Sequence, residues 1–215
     1  MADNYLLQLQ SAQKHFLTYD QEALIRKCHL KYDDNWLYTR MLGLDYRLCR
    51  TSGSLQRLEK GRWVDANTFG QVMTLLDLLC DSRADRFATG QFTAMENLGN
   101  LVHSNLLGGG KNPLAELFDR EPERMAQICR ALGGQEISAG DLGFSFPVFE
   151  ELCVQLRFWA SDEDFPASAR WFWDKNALSY LRYETTFYAI GFLSERLQNA
   201  MACVMINTEG EKNGV

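Results

Sequence analysis

The chain has 215 residues, with 22 basic against 28 acidic side chains and a formal charge of −6. That balance argues against a dedicated nucleic-acid binder, which clusters Lys and Arg to neutralise phosphates. A hydrophobic share of 46% with 23% charged residues excludes disorder for most of the length. No stretch approaches the roughly 18 apolar residues of a membrane span, and Met1-Ala2-Asp3-Asn4 carries neither a basic nor an apolar leader, so the expectation is a cytoplasmic protein.

Six cysteines, at 28, 49, 80, 129, 153 and 203, show no Cys-x-x-Cys pair, and the histidines at 15, 29 and 103 show no His-x-x-x-His. The spacings of zinc, c-type haem and iron–sulphur sites are therefore absent, the cysteines read as reduced thiols, and no metal is expected. Nor is there a Gly-x-Gly-x-x-Gly or a Gly-x-Ser-x-Gly to suggest a dinucleotide or an activated serine.

In chain order, Tyr5, Leu6, Leu9, Ala12, Phe16 and Leu17 step at three and four residues and predict a helix from Asn4 to about Leu17. Asp20 caps a short second helix with Leu24, Ile25 and Cys28. From Trp36 the period falls to two, and Leu44, Tyr46 and Leu48 alternate with polar residues. Gly43 and Thr51-Ser52-Gly53-Ser54 punctuate this group, an antiparallel meander over about 36–59. Helical periodicity returns after Asp65 and Asn67, both candidate caps, with Val72, Leu75, Leu76 and Leu79 on one stripe.

The stretch 83–107 fits neither period. Asn112-Pro113 and Glu121-Pro122 start two helices, and Gly133-Gly134 stops the second. Three alternating runs over about 142–174 predict an antiparallel group, and Phe187, Ile190, Leu193, Leu197, Met201 and Val204 predict a long helix from about Glu184 to Ile206. Grouped rather than alternating strands and helices make the class α+β. No internal repeat is visible, so 1–206 reads as one α+β domain with two sub-lobes and 207–215 as a disordered tail.

Four constellations carry chemistry. Gly108-Gly109-Gly110-Lys111 before a helix start suits an anion, but it lacks the Gly-Lys-Ser/Thr of a phosphate loop and reads as a linker. Cys28 and His29 are adjacent, which points them in different directions on a helix or a strand. His103, in the stretch that fits neither period, could serve as a base, although a satisfied structural histidine is the commoner case. The sharpest cluster is the hairpin Trp159-Ala160-Ser161-Asp162-Glu163-Asp164-Phe165-Pro166, flanked by Arg157 and by Arg170-Trp171. Arg and Trp side chains there could stack on a planar anion, while Asp162, Glu163 and Asp164 could act as a base or hold a hard cation, or simply terminate the hairpin.

The residues Gly133-Gly134, Gly140-Asp141, Phe146-Pro147, Phe158-Trp159, Asp162-Glu163-Asp164-Phe165-Pro166-Ala167, Trp171-Phe172-Trp173-Asp174 and Tyr180-Leu181 with Glu184 follow one another in an order that resembles the family catalogued as domain of unknown function 3786. The resemblance covers roughly Gly99 to Leu197 well and the earlier half more loosely. Trp171-Phe172-Trp173-Asp174 stands where the family usually has an aliphatic-Leu-Phe-Asp run, and Thr185 replaces an acid after Glu184. The resemblance implies a cytoplasmic protein of an anaerobic bacterium or archaeon. Some relatives carry an attached iron–sulphur domain, whose cysteine motif this chain lacks.

The expectation is an accessory protein that binds a small molecule or cofactor of unknown identity, or a partner protein carrying one. The site would be Arg157, Trp159, Asp162, Glu163, Asp164, Arg170 and Trp171, with neither nucleic acid nor membrane as a partner. The alternatives are a hydrolase or lyase that uses the acidic loop, and a purely structural interaction module.

Overall fold

The computed structural model describes residues 2–66, 68–100 and 113–212. Among these it holds six α-helices and two five-stranded antiparallel sheets, an α+β architecture. Backbone proximity divides the chain into two compact units, neither of them a continuous stretch. The first takes Met1–Thr89, Val148–Leu152 and Asn176–Ala189; the second takes Gly90–Pro147, Cys153–Lys175 and Ile190–Val215.

The first unit opens with α1 (Ala2–Phe16) and α2 (Gln21–Cys28). Asp20 caps α2 through its carboxylate, which accepts a hydrogen bond from the Ala23 amide at 3.1 Å. The helix ends on His29 in the left-handed region, φ 49°. The sheet runs in the order β1 (Lys31–Tyr32), β2 (Trp36–Met41), β3 (Leu44–Cys49), β4 (Leu55–Glu59), β5 (Arg62–Asp65). Two of its hairpins turn on two residues with positive φ, Leu42-Gly43 at 50° and 75° and Lys60-Gly61 at 46° and 78°, the backbone twist that suits right-twisted strands. Leu37, Met41, Tyr46, Leu48 and Leu55 share one face through the register and are at most 1% exposed. Burying each such side chain contributes about 1.5–3 kcal/mol. The other face carries the half-buried Trp36, Tyr38, Arg47, Gln56 and Trp63. Then α3 (Phe69–Leu76) widens into a π turn over Asp77–Asp81.

In the second unit β6 (Phe92–Ala94) precedes a 3-10 stretch over Met95–Asn100, and α4 (Pro113–Arg120) and α5 (Pro122–Ala131) follow. Both helices carry Pro at the first position, where the missing amide is no loss. Then come β7 (Gln135–Glu136), β8 (Leu142–Phe149), β9 (Leu152–Trp159) and β10 (Ser168–Asp174), in the sheet order β6-β10-β9-β8-β7. The core face presents Phe144, Phe146, Leu156, Phe158, Trp171 and Trp173, all buried. Phe158 stacks on Phe118 with ring centroids 5.1 Å apart, and Trp171 meets Phe146 at 6.3 Å. The last helix, α6 (Tyr183–Lys212), runs beyond the Ile206 end that its apolar stripe suggested.

The structure adds β1, β5, β6 and β7, strands too short for a period to show, and it moves the cap of α3 to Thr68 because Asp65 ends β5. Asn67, His103, the Gly108-Gly109-Gly110 run, Lys111 and Asn112 lie outside the described residues. Although the sequence shows no repeat, one order of elements recurs along the chain: helix, two-residue strand, three-strand meander, helix, as α2-β1-β2-β3-β4-α3 (with β5 inserted) and as α5-β7-β8-β9-β10-α6.

Candidate functional site

The register of β9 and β10 decides which hairpin residues meet. Arg157 lies directly opposite Arg170, Trp159 opposite Ser168, and Gln155 opposite Phe172, so these six residues share one face. Arg157 is half-buried and Trp159 and Arg170 are exposed. Trp171 falls on the opposite face, 8% exposed and set against Phe146 in the core. The structure thus brings together Arg157, Trp159 and Arg170, adds Phe172, and leaves Trp171 out of the group.

The Arg157 guanidinium lies 4.0 Å above the Phe172 ring and donates both Nε and Nη2 to Gln155 Oε1, at 3.1 and 2.6 Å. Arg170 lies at the edge of the same ring, 5.9 Å from its centroid, and forms an ion pair with Glu96 at 3.2 Å. Like charges directly across an antiparallel pair repel, and among the described residues only Arg170 of the two has a carboxylate partner. Burial lowers the pKa of Arg157, yet a guanidinium keeps its charge near neutral pH. A cation is therefore held flat on a ring by a neutral amide, with Trp159 6.3 Å from the same ring.

The acidic loop is organised by its own backbone. Asp162 Oδ1 accepts from the Asp164 and Phe165 amides at 2.9 and 2.7 Å, an Asx turn. Asp119, on α4, accepts from the Ser161 amide and hydroxyl at 2.9 and 2.8 Å, and these bonds hold its carboxyl below the usual range. Asp141 accepts from the Ala160 amide at 2.8 Å. Glu163 and Asp164 are exposed. Glu184 stands in the first turn of α6, where negative charge favours the helix dipole. Among the described residues no three His, Cys, Asp or Glu side chains gather as a metal site, and no helix is long and apolar enough to cross a membrane.

Besides Cys28 and His29, the first unit holds features the sequence did not single out. Arg47, on the central strand of its sheet, lies against two rings, Trp36 at 4.1 Å and Trp63 at 4.7 Å, and donates Nε and Nη2 to Gln56 Oε1 at 2.8 and 2.6 Å. Arg157 repeats this arrangement on the central strand of the other sheet with one ring instead of two. The unit also contains a cleft of about 670 Å³ near Tyr38 and Trp63. Cys28 closes α2 with its thiol directed at the Leu79 carbonyl, 3.8 Å away, and burial pushes its pKa up, so with the exposed His29 beside it there is no thiolate–imidazole pair.

No curated protein and no solved structure matches the chain. A family model does, over residues 20–196, and its match takes in the whole first sheet as well as the hairpin. From α2 into the first half of α6, then, the chain belongs to the family described as Domain of unknown function (DUF3786).

Proposed function

We propose that this protein is a non-catalytic accessory protein of the cytoplasm that binds a planar, anionic small molecule or cofactor, or a partner bearing one, on the outward face of β9 and β10. The observation that carries the reading is the pairing of Arg157 with Arg170 across the two strands, where among the described residues a carboxylate, Glu96, is paired with Arg170 alone. An anionic group placed there relieves the repulsion, and a flat ring can lie on the side of the guanidinium away from Phe172. Arg47 shows that one guanidinium of this fold can serve two rings at once, Trp36 at 4.1 Å and Trp63 at 4.7 Å. Stacking of this kind is worth about 0.5–2 kcal/mol, and the paired charge supplies the rest of the affinity. Trp159 borders the platform, and Asp162 keeps the loop turned so that Trp159 stays at its edge. A nucleic-acid chain is a poor candidate because its phosphates meet a protein of formal charge −6.

Titration with flavin mononucleotide, riboflavin and inorganic phosphate separates ring from charge. Flavin mononucleotide should bind, riboflavin and phosphate about tenfold or more weaker, and an Arg157→Ala/Arg170→Ala double variant should lose binding while its melting temperature holds. Equal binding by the double variant would overturn the site, and preference for riboflavin would overturn the anionic class.

A further inference from the structure

A cleft of about 670 Å³ in the first unit lies within the roughly 300–1,000 Å³ typical of small-molecule sites. It opens where β2 outruns its neighbour: β1 pairs only as Lys31 with Tyr38 and Tyr32 with Leu37, leaving Thr39 and Arg40 on the rim beyond the last pair. The rings of Tyr38 and Trp63, 6.1 Å apart and inclined by 57°, form an aromatic corner in its wall. His29 and Glu150, two of the four described non-glycine residues with positive φ, both at 49°, also line it. Backbone in that region costs of order 1 kcal/mol per residue and persists where the surroundings impose it, often around binding sites. A second recess of about 440 Å³ shares Cys28, His29 and Glu150 with the first.

The charges that line the cleft are unequally committed. Asp33 accepts from the Asn35 and Trp36 amides, both at 2.8 Å, and from the Tyr38 hydroxyl at 2.7 Å, which together hold its carboxyl below the usual range. Asp45 is paired with Arg40 at 3.7 Å. Glu150 receives both Nε and Nη2 of Arg86, whose side chain is 4% exposed, at 2.9 and 2.6 Å. Each carboxylate has its own partner. The side chains of Lys31 and His29 have neither a hydrogen bond nor an ion pair among the described residues, although the His29 amide donates to the Ile25 carbonyl at the end of α2. The polar capacity left to a ligand is thus cationic and hydrogen-bond donating, beside a wall of arenes.

We infer that this cleft is a binding site for a small organic anion with an aromatic ring, the ring against Tyr38 and Trp63 and the carboxylate or phosphate toward Lys31 and His29. The site belongs to the first unit alone and does not depend on the platform of β9 and β10. The test uses 4-hydroxyphenylacetate and tyramine, which share a ring and differ in the sign of their charge, in calorimetric titrations of the full chain. The acid should bind in the submillimolar range and tyramine not at all. Lys31→Glu, at an exposed position, should weaken the acid about tenfold or more, and His29→Asn, which tolerates the left-handed backbone, should weaken it less. The Arg157→Ala/Arg170→Ala variant should leave it unchanged, so failure here and failure of the platform are told apart. Absence of binding at millimolar acid, tighter binding of tyramine, or an unaffected Lys31→Glu variant would each overturn the inference.

Discussion

Cys49, at the end of β3, is half-buried beneath the Thr51-Ser52 turn. Burial alone would raise its pKa, but hydrogen bonds from the Ser52 and Thr51 side chains and amides outweigh it and bring the thiol down to about 7. Burial pushes Cys80 and Cys129 up to about 12 instead. Labelling with iodoacetamide should therefore modify Cys49 with a midpoint near pH 7 while Cys80 and Cys129 stay inert until the chain unfolds; a midpoint near the ordinary thiol value would refute the turn's role. Because the folded pKa is depressed, the stabilisation from the thiolate is full above the unfolded thiol value and is lost as pH falls through about 7. A second residue acts through packing as well as charge. Arg86 gives Nη1 to the Arg83 carbonyl and Nη2 to the Lys27 carbonyl besides its bonds to Glu150. Arg86→Ala leaves those acceptors unfilled and the acid uncompensated, and should cost about 3 kcal/mol in chemical denaturation; a loss within the range of ordinary surface changes would show that solvent replaces the pair.

At the scale of elements, two glycines separate backbone strain from steric conflict. Gly61 turns the β4–β5 hairpin at φ 78° with open space around it, whereas Gly140 sits at φ 69° ahead of β8 with the Phe158 carbonyl oxygen 2.4 Å from where a Cβ would be. Gly61→Ala should cost about 1 kcal/mol, the left-handed penalty alone, and Gly140→Ala about 2–3 kcal/mol because β9 must also move. Thermal melts of the two variants check the order, and equal losses would refute the close approach. The strands best legible in the sequence were β8, β9 and β10, whose period of two runs for seven or eight residues. β1, with both residues exposed, and β5 offered no such contrast between faces. The same period was enough to separate Trp171 from Arg170 and to set Phe172 beside it. What it could not supply was register, which alone puts Arg157 opposite Arg170.

At the scale of the molecule, the first unit is not closed by its first 89 residues. Val148 accepts the Leu42 amide at 2.9 Å, Glu150 answers Arg86, and Arg182 reaches the 1% exposed Asp77 through its backbone amide at 2.7 Å and Nε at 2.6 Å. Burial raises the pKa of Asp77 in spite of the bonds from Thr185 and Arg182. A fragment of residues 1–89 loses all three partners and is expected to be unfolded, with poor amide dispersion in its NMR spectrum; a well-dispersed spectrum would show that the first sheet and its helices suffice. Composition, charge, periodicity and caps, which act between neighbours in the chain, determined by themselves the α+β class, most elements and the residue types at the hairpin. The family order was legible for the same reason. Only tertiary structure decided that Arg157 stands opposite Arg170, that Arg47 and Arg157 are two versions of one arrangement, and that His29, Lys31, Tyr38 and Trp63 border one cleft. Those facts depend on strand register and on contacts between residues far apart in sequence, which local propensity does not encode.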